Sequence, residues 1–166
     1  NEKILPQYLK EMNYQTYLLG KWHLGAYTPE YFPTRRGFDY FYGYLQGGNG
    51  YWDHVHGGGY DWQKNEKLLR KEGYTTHLIR DDAIRIIENH DDQSSIFLNI
   101  NFGAPHTPNE APQESINKFK NIESENRRIH AAMVHEMDDA IGQIINALKE
   151  KNILNNTIIF FASDNG

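Results

Sequence analysis

Three short, predominantly apolar runs, over residues 14–19, 96–102 and 157–162, constrain this chain more than any other feature of its sequence. Each is rich in β-branched and aromatic residues and ends at glycine or a small polar residue, the pattern of a strand buried on both faces. Between the runs the hydrophobic period changes. Ile4, Leu5, Tyr8, Leu9 and Met12 fall at helical spacing, with Pro6 acceptable only in a first turn. Ile79, Ala83, Ile86 and Ile87 form a second apolar stripe behind a possible cap at Thr76 and ending near Asn89-His90. From Ser124 to Lys149 apolar residues from Ile129 to Leu148 step by threes and fours, which predicts a long amphipathic helix. Helices alternating with buried strands predict an α/β fold, a mainly parallel sheet with helices on both faces.

The stretch from Gly20 to about Tyr60 shows no sustained period and reads as a long ordered loop, dense in aromatic residues and turned sharply at Gly47-Gly48 and Gly57-Gly58-Gly59. Residues 60–69 read as a small hairpin.

In an open parallel sheet the ligand site lies outside the carboxyl ends of the strands. Three polar clusters follow the three predicted strands directly: Lys21-Trp22-His23, His106-Thr107 and Asp164-Asn165. The topology therefore gathers one fixed cation, two imidazoles, a carboxylate and an amide carbonyl at one edge. Asp164 and Asn165 offer the oxygen ligands that Ca²⁺ or Mg²⁺ accepts. Lys21 is suited to neutralising a sulfate or phosphate oxygen, and a histidine to protonating a leaving oxygen. The chemistry these types suggest is ester hydrolysis at sulfur or phosphorus. Simpler readings stand beside it: Asp-Asn-Gly is a common turn tripeptide, His106 between two prolines also reads as a loop histidine, and Lys21 also reads as a side chain lying over Trp22. His54-x-His56 is too small a set to define a metal site. The pairs Asp81-Asp82, Asp91-Asp92 and Asp138-Asp139 read as solvated faces.

Composition removes several classes. Lys+Arg 17 against Asp+Glu 22 gives a net charge of −5, which disfavours a nucleic-acid groove. No run of about eighteen apolar residues is present, so no membrane-spanning helix is predicted. With no cysteine among its 166 residues, the chain has no disulfide, thiolate ligand or Cys nucleophile. Asn155-Asn156-Thr157 is an N-glycosylation acceptor triplet, usable on the secretory route.

The hexapeptide Gly20-Lys21-Trp22-His23-Leu24-Gly25 resembles a signature of the sulfatase family. Pro33-Thr34-Arg35-Arg36-Gly37-Phe38-Asp39 with Phe41-Tyr42-Gly43, then Ala104-Pro105-His106-Thr107-Pro108, then Ser163-Asp164-Asn165-Gly166 follow in that family's order. Together they resemble the arylsulfatase B branch, which acts on N-acetylgalactosamine 4-sulfate. The resemblance implies an alkaline-phosphatase-like fold and a sulfuric ester hydrolase acting on a sulfated glycosaminoglycan sugar or an aryl sulfate. It implies that Lys21 and His23 contact the sulfate or the catalytic hydrate, that His106 donates a proton to the leaving alcohol, and that Asp164 and Asn165 ligate one Ca²⁺. It also implies a formylglycine nucleophile made by a formylglycine-generating enzyme, and a lysosomal or secreted glycoprotein carrying sugar on Asn155.

The chain departs from the family pattern in having no Cys, and no Ser followed two residues later by Pro, from which formylglycine could be made. The family's paired aspartates are likewise not seen. The chain is expected to be an internal piece of one sulfatase catalytic domain, residues 1–166, cut at both ends, with the nucleophile upstream of Asn1. These residues alone are expected to be inactive and poorly folded. Two rival readings are another phosphoesterase of the same fold and a sulfatase-like glycan- or sulfate-binding protein without turnover.

Overall fold

The computed structural model describes residues 2–91 and 93–165. Asn1, Asp92 of the Asp91-Asp92 pair and Gly166 of the last motif lie outside the described residues. The elements in chain order are α1 (Leu5–Glu11), β1 (Tyr14–Lys21), β2 (Tyr40–Tyr44), β3 (Val55–His56), β4 (Gly59–Tyr60), β5 (Gln63–Lys64), β6 (Lys67–Leu68), α2 (Thr75–Glu88), β7 (Ser95–Asn101), α3 (Gln113–Lys118) and α4 (Glu125–Glu150). Short 3₁₀ turns lie at Pro29–Tyr31, Pro33–Arg35 and Leu154–Asn156.

The main sheet has the order β6-β5-β2-β1-β7, with β1 parallel to both β2 and β7. The predicted hairpin over 60–69 forms as β5 and β6, which pair antiparallel and extend the sheet beyond β2. A separate small ribbon pairs β3 with β4. The parallel register sets Lys21 beside Tyr44 and Gly20 beside Asn101, so the last residues of β1, β2 and β7 line up along one edge.

Strand alternation sorts the core. Leu19, Tyr42 and Tyr44 face α2 and α4, where Ile79, Ala83, Ile87 and Leu148 close over them with Trp62. The neighbouring residues Leu18 and Phe41 face the other way and pack with Trp22, Phe38 and Leu45. That second face is covered by Ile4 at the start of α1 and by residues of the segment after β1, including Ala26 and Phe32. Pro6 sits in the first turn of α1, where its missing N–H breaks no helical hydrogen bond.

Three expectations are corrected. Residues 157–162 are not a strand: Ile158, Phe160 and Phe161 are exposed, at 98%, 88% and 73%. An apolar strand holds only between hydrogen-bonded neighbours and under covering side chains, and among the described residues no strand pairs with this run. Residues 40–44, read as loop, form β2, because a five-residue strand of aromatics interrupted by Gly43 leaves no alternation to detect. Thr76 does not cap α2. The helix starts at Thr75, whose backbone N–H and hydroxyl both donate to the Tyr51 carbonyl at 2.9 and 3.2 Å.

A buried carboxylate locks the helical layer. Glu136 of α4 accepts the Ser115 hydroxyl of α3 at Oε1, and its Oε2 lies 2.5 Å from His77 Nε2 of α2. Burial pushes its pKa up, but the hydrogen bonds from Ser115 and His77 outweigh burial and hold it below the usual carboxylate range. The unfolded chain therefore takes up this proton first as pH falls. Stability from Glu136 is complete above the ordinary value of 4.5 and is lost as pH drops through its folded value. Glu136→Gln is expected to cost about 1–2 kcal/mol near neutral pH and to flatten the acid limb of stability, measured by urea unfolding of the full-length protein across pH.

Candidate functional site

The sheet's carboxyl edge is built backbone first. Gly20 in β1 has φ +93°, a left-handed conformation that side chains resist, and its α-carbon presses on β7 so closely that a Cβ would stand 2.0 Å from the Asn101 carbonyl oxygen. This tight junction fixes the direction of the next residue. Lys21 is buried, its carbonyl accepts from Asn101 Nδ2 at 2.9 Å, and its Nζ donates to Asp164 Oδ2 at 3.0 Å. Asn101, at the end of β7, had no signal in the sequence beyond its place in an apolar run.

Hydrogen bonding to β2 continues past the end of β1. Trp22 N–H donates to the Tyr44 carbonyl and His23 N–H to the Leu45 carbonyl, each at 3.0 Å. Trp22 turns into the core, where its indole N–H reaches the Tyr31 carbonyl at 2.9 Å. Lys21 therefore does not simply lie over that ring. His23, with φ +55°, stays exposed and its ring rests against Gly47.

His106 follows β7 on an exposed loop anchored by Tyr51, whose hydroxyl donates to the His106 carbonyl at 2.9 Å. Its Nδ1 lies 2.7 Å from the Thr107 carbonyl, and its ring faces Gly48. The adjacent glycines 47 and 48 thus border the two imidazoles.

Asp164 and Asn165 are exposed, and Asn165 Nδ2 donates to Asp164 Oδ1 at 3.0 Å. The hydrogen bond from Lys21 is the main reason the Asp164 carboxyl is held below its usual range. Tyr44, buried beside this edge, is pushed well above the usual phenol range by burial and then by the Asp61 and Asp164 carboxylates, so it stays a neutral hydroxyl. The oxygens of Asp164 and Asn165 are of the type a hard cation accepts, but two residues fall short of the six to eight oxygens that Ca²⁺ takes. Among the described residues no three His, Cys, Asp or Glu side chains converge on a metal position. The residues present therefore do not hold the ion by themselves.

The other marked residues lie apart. Asn155 is exposed in the Leu154–Asn156 turn, and Thr157 Oγ1 donates to the Ile153 carbonyl at 2.8 Å. His54 is buried against Trp62, with ring centroids 4.9 Å apart, while His56 is exposed, so the two do not form a joint site. Among the described residues no helix is long and apolar enough to cross a membrane.

A family described as Sulfatase matches residues 1–166. This chain belongs to the sulfatase family. Its fold is alkaline-phosphatase-like, a mostly parallel sheet with helices, as in the solved sulfatases it resembles. This sulfatase chain is 38% identical over 170 residues to mouse (Mus musculus) arylsulfatase J, covering 98% of the chain and 28% of that relative. It is 31% identical over 187 residues to mouse N-acetylgalactosamine-6-sulfatase, covering all of the chain and 33% of the relative. The crystal structure of Ps i-CgsB in complex with k-i-k-neocarrahexaose superposes with a TM-score of 0.84 at 31% identity, over 90% of this chain and 37% of that one. The chain thus spans about a third of the length of the relatives it matches.

Proposed function

We propose that the full-length protein hydrolyses sulfate esters of a glycosaminoglycan sugar and of small aryl sulfates, in the manner of the arylsulfatase B branch, and that residues 1–166 are part of its catalytic domain. The observation that carries this reading is the buried Lys21 ammonium at the carboxyl end of β1, beside Asp164, in a chain of the sulfatase family. Lys21 already meets one anion, the Asp164 carboxylate at 3.0 Å, and an ammonium has three N–H donors, so donors are left for a second anion such as an ester sulfate. The names of the relatives support the substrate class, and the neocarrahexaose bound to Ps i-CgsB is itself a sugar.

In this reading Lys21 and His23 bind and orient the sulfate oxygens, and His106 protonates the leaving alcohol. Asp164 and Asn165 would be two of the oxygen ligands of one Ca²⁺, with further ligands needed from the rest of the protein, and such an ion would supply Lewis-acid stabilisation of charge on the sulfate. The nucleophile is a formylglycine outside these residues, installed by a formylglycine-generating enzyme. A lysosomal or secreted location and glycosylation of Asn155 accompany the reading.

The test is sulfate release by the full-length protein from a sulfated galactosaminoglycan and from nitrophenyl sulfate, with sulfate affinity measured in parallel by calorimetry. Turnover of either ester is the expected result. Sulfate binding without release of product from any ester would overturn it in favour of a sulfatase-like binding protein.

A further inference from the structure

Asp61 is a buried carboxylate, 8% exposed, on the loop between β4 and β5. Its hydrogen-bond donors among the described residues are neutral. Its oxygens take the backbone N–H groups of Leu45, at 3.2 and 3.0 Å, and of Gln46, at 2.9 Å, with Gln63 Nε2 more distant at 3.4 Å. Its own carbonyl accepts from the buried Asn49 Nδ2 at 2.9 Å. The segment running through residues 45–49 is thereby hung from one side chain and its backbone. Leu45 passes the constraint on, since its carbonyl receives the His23 N–H.

Gly47 and Gly48 sit inside this suspended segment. A Cβ on Gly47 would fall 2.3 Å from His23 Nε2 and 2.4 Å from Cε1, whereas a Cβ on Gly48 would stand 3.4 Å from His106 Cε1. Residue 47 is thus a bare stretch of backbone on which the His23 ring leans, and no side chain fits there while the ring keeps its place.

We propose that Asp61 is a positioning residue, which holds the Gly47-Gly48 backbone so that Gly47 forms a side-chain-free rest for the His23 imidazole, with Gly48 in ordinary contact with His106. The inference depends on the sulfatase reading of that edge. It gives the aromatic loop a defined role, the placement of the His23 ring that follows β1. A carboxylate suits that role, because it binds two N–H groups at once with hydrogen bonds stronger than a neutral carbonyl makes.

The experiment is steady-state kinetics of the full-length enzyme on nitrophenyl sulfate, with Gly47→Ala, Asp61→Asn, His23→Ala and the double variant Gly47→Ala/His23→Ala. Gly142→Ala, on an open face of α4, serves as the neutral control. Gly47→Ala is expected to lower kcat about 10- to 100-fold with a melting temperature near wild type, because what must give way is the far end of a side chain. Adding it to His23→Ala should cost less than about a further 2-fold, since the ring it displaces is gone. Asp61→Asn should lower kcat in the same direction. A wild-type kcat in a folded Asp61→Asn overturns the inference; if Asp61→Asn fails to fold, Asp61→Glu, which keeps the charge but shifts the carboxylate from the Leu45 and Gln46 N–H groups, is expected to lower kcat, and a wild-type kcat there overturns it. Full additivity of Gly47→Ala and His23→Ala, or a wild-type kcat in Gly47→Ala, overturns the inference. A wild-type rate in His23→Ala itself instead overturns the assignment of that edge as the sulfatase site.

Discussion

Lys21→Ala in the full-length enzyme is expected to lower turnover of an aryl sulfate by about 10²- to 10³-fold, the usual loss when one fixed charge facing a transition-state oxyanion is removed. The loss should fall on catalysis and leave folding nearly intact. Lys21 is buried, but its partner Asp164 has 69% of its side chain exposed, so water replaces the ammonium when Lys21 is truncated. The same substitution removes the main cause of the low Asp164 pKa, which should move back toward the ordinary carboxylate range. His106→Ala should cost turnover on the order of 10²-fold if the imidazole is the proton donor, with the loss smallest on esters whose leaving group needs no proton. Wild-type rates in both variants would remove the sheet edge from the mechanism.

Gly20→Ala tests the scaffold under that edge. A methyl group there meets a backbone oxygen at 2.0 Å and Ile79 Cδ1 at 3.0 Å, at a φ of +93°. The Asn101 carbonyl cannot swing aside without opening β1 from β7, and Ile79 is fully buried. Overpacking and the left-handed backbone together predict a loss of about 2–5 kcal/mol. That is a large share of the roughly 5–15 kcal/mol that holds a typical domain folded. The midpoint of denaturant unfolding should fall at little changed slope, and activity should fall with it because Lys21 is the next residue. An unchanged midpoint would mean that β1 and β7 are not locked at Gly20.

How legible this fold was in the sequence depended on whether a feature leaves a repeating pattern. α2 and α4 bury one stripe each at helical spacing and were readable from Ile79, Ala83 and Ile87 and from Ala140, Ile144 and Leu148. β1 and β7 were readable as short apolar runs, and the rule that ligands gather at the carboxyl ends of parallel strands pointed to Lys21; Asp164 does meet Lys21, but it was expected there as the end of a strand over 157–162 that does not form. β2 was not readable, since Phe41 and Tyr42 point to opposite faces and both are aromatic. The run 157–162 shows the converse: apolar sequence names a strand, but only a hydrogen-bonded neighbour makes one. Asp61, Gly47 and Asn101 leave no periodic trace, because each acts through contacts with residues distant in sequence that only the tertiary fold brings together. Glu136 was likewise hidden, a lone acid on a helix whose burial follows from the meeting of α2, α3 and α4.

Sulfate ester or phosphate ester is decided by a side-by-side assay of the full-length protein on nitrophenyl sulfate and nitrophenyl phosphate under identical conditions, with Lys21→Ala as the internal reference. The sulfate ester is expected to turn over much faster than the phosphate ester, and that turnover to depend on Lys21. Preferential hydrolysis of the phosphate ester would contradict the sulfatase reading and make the protein a phosphoesterase built on the same fold.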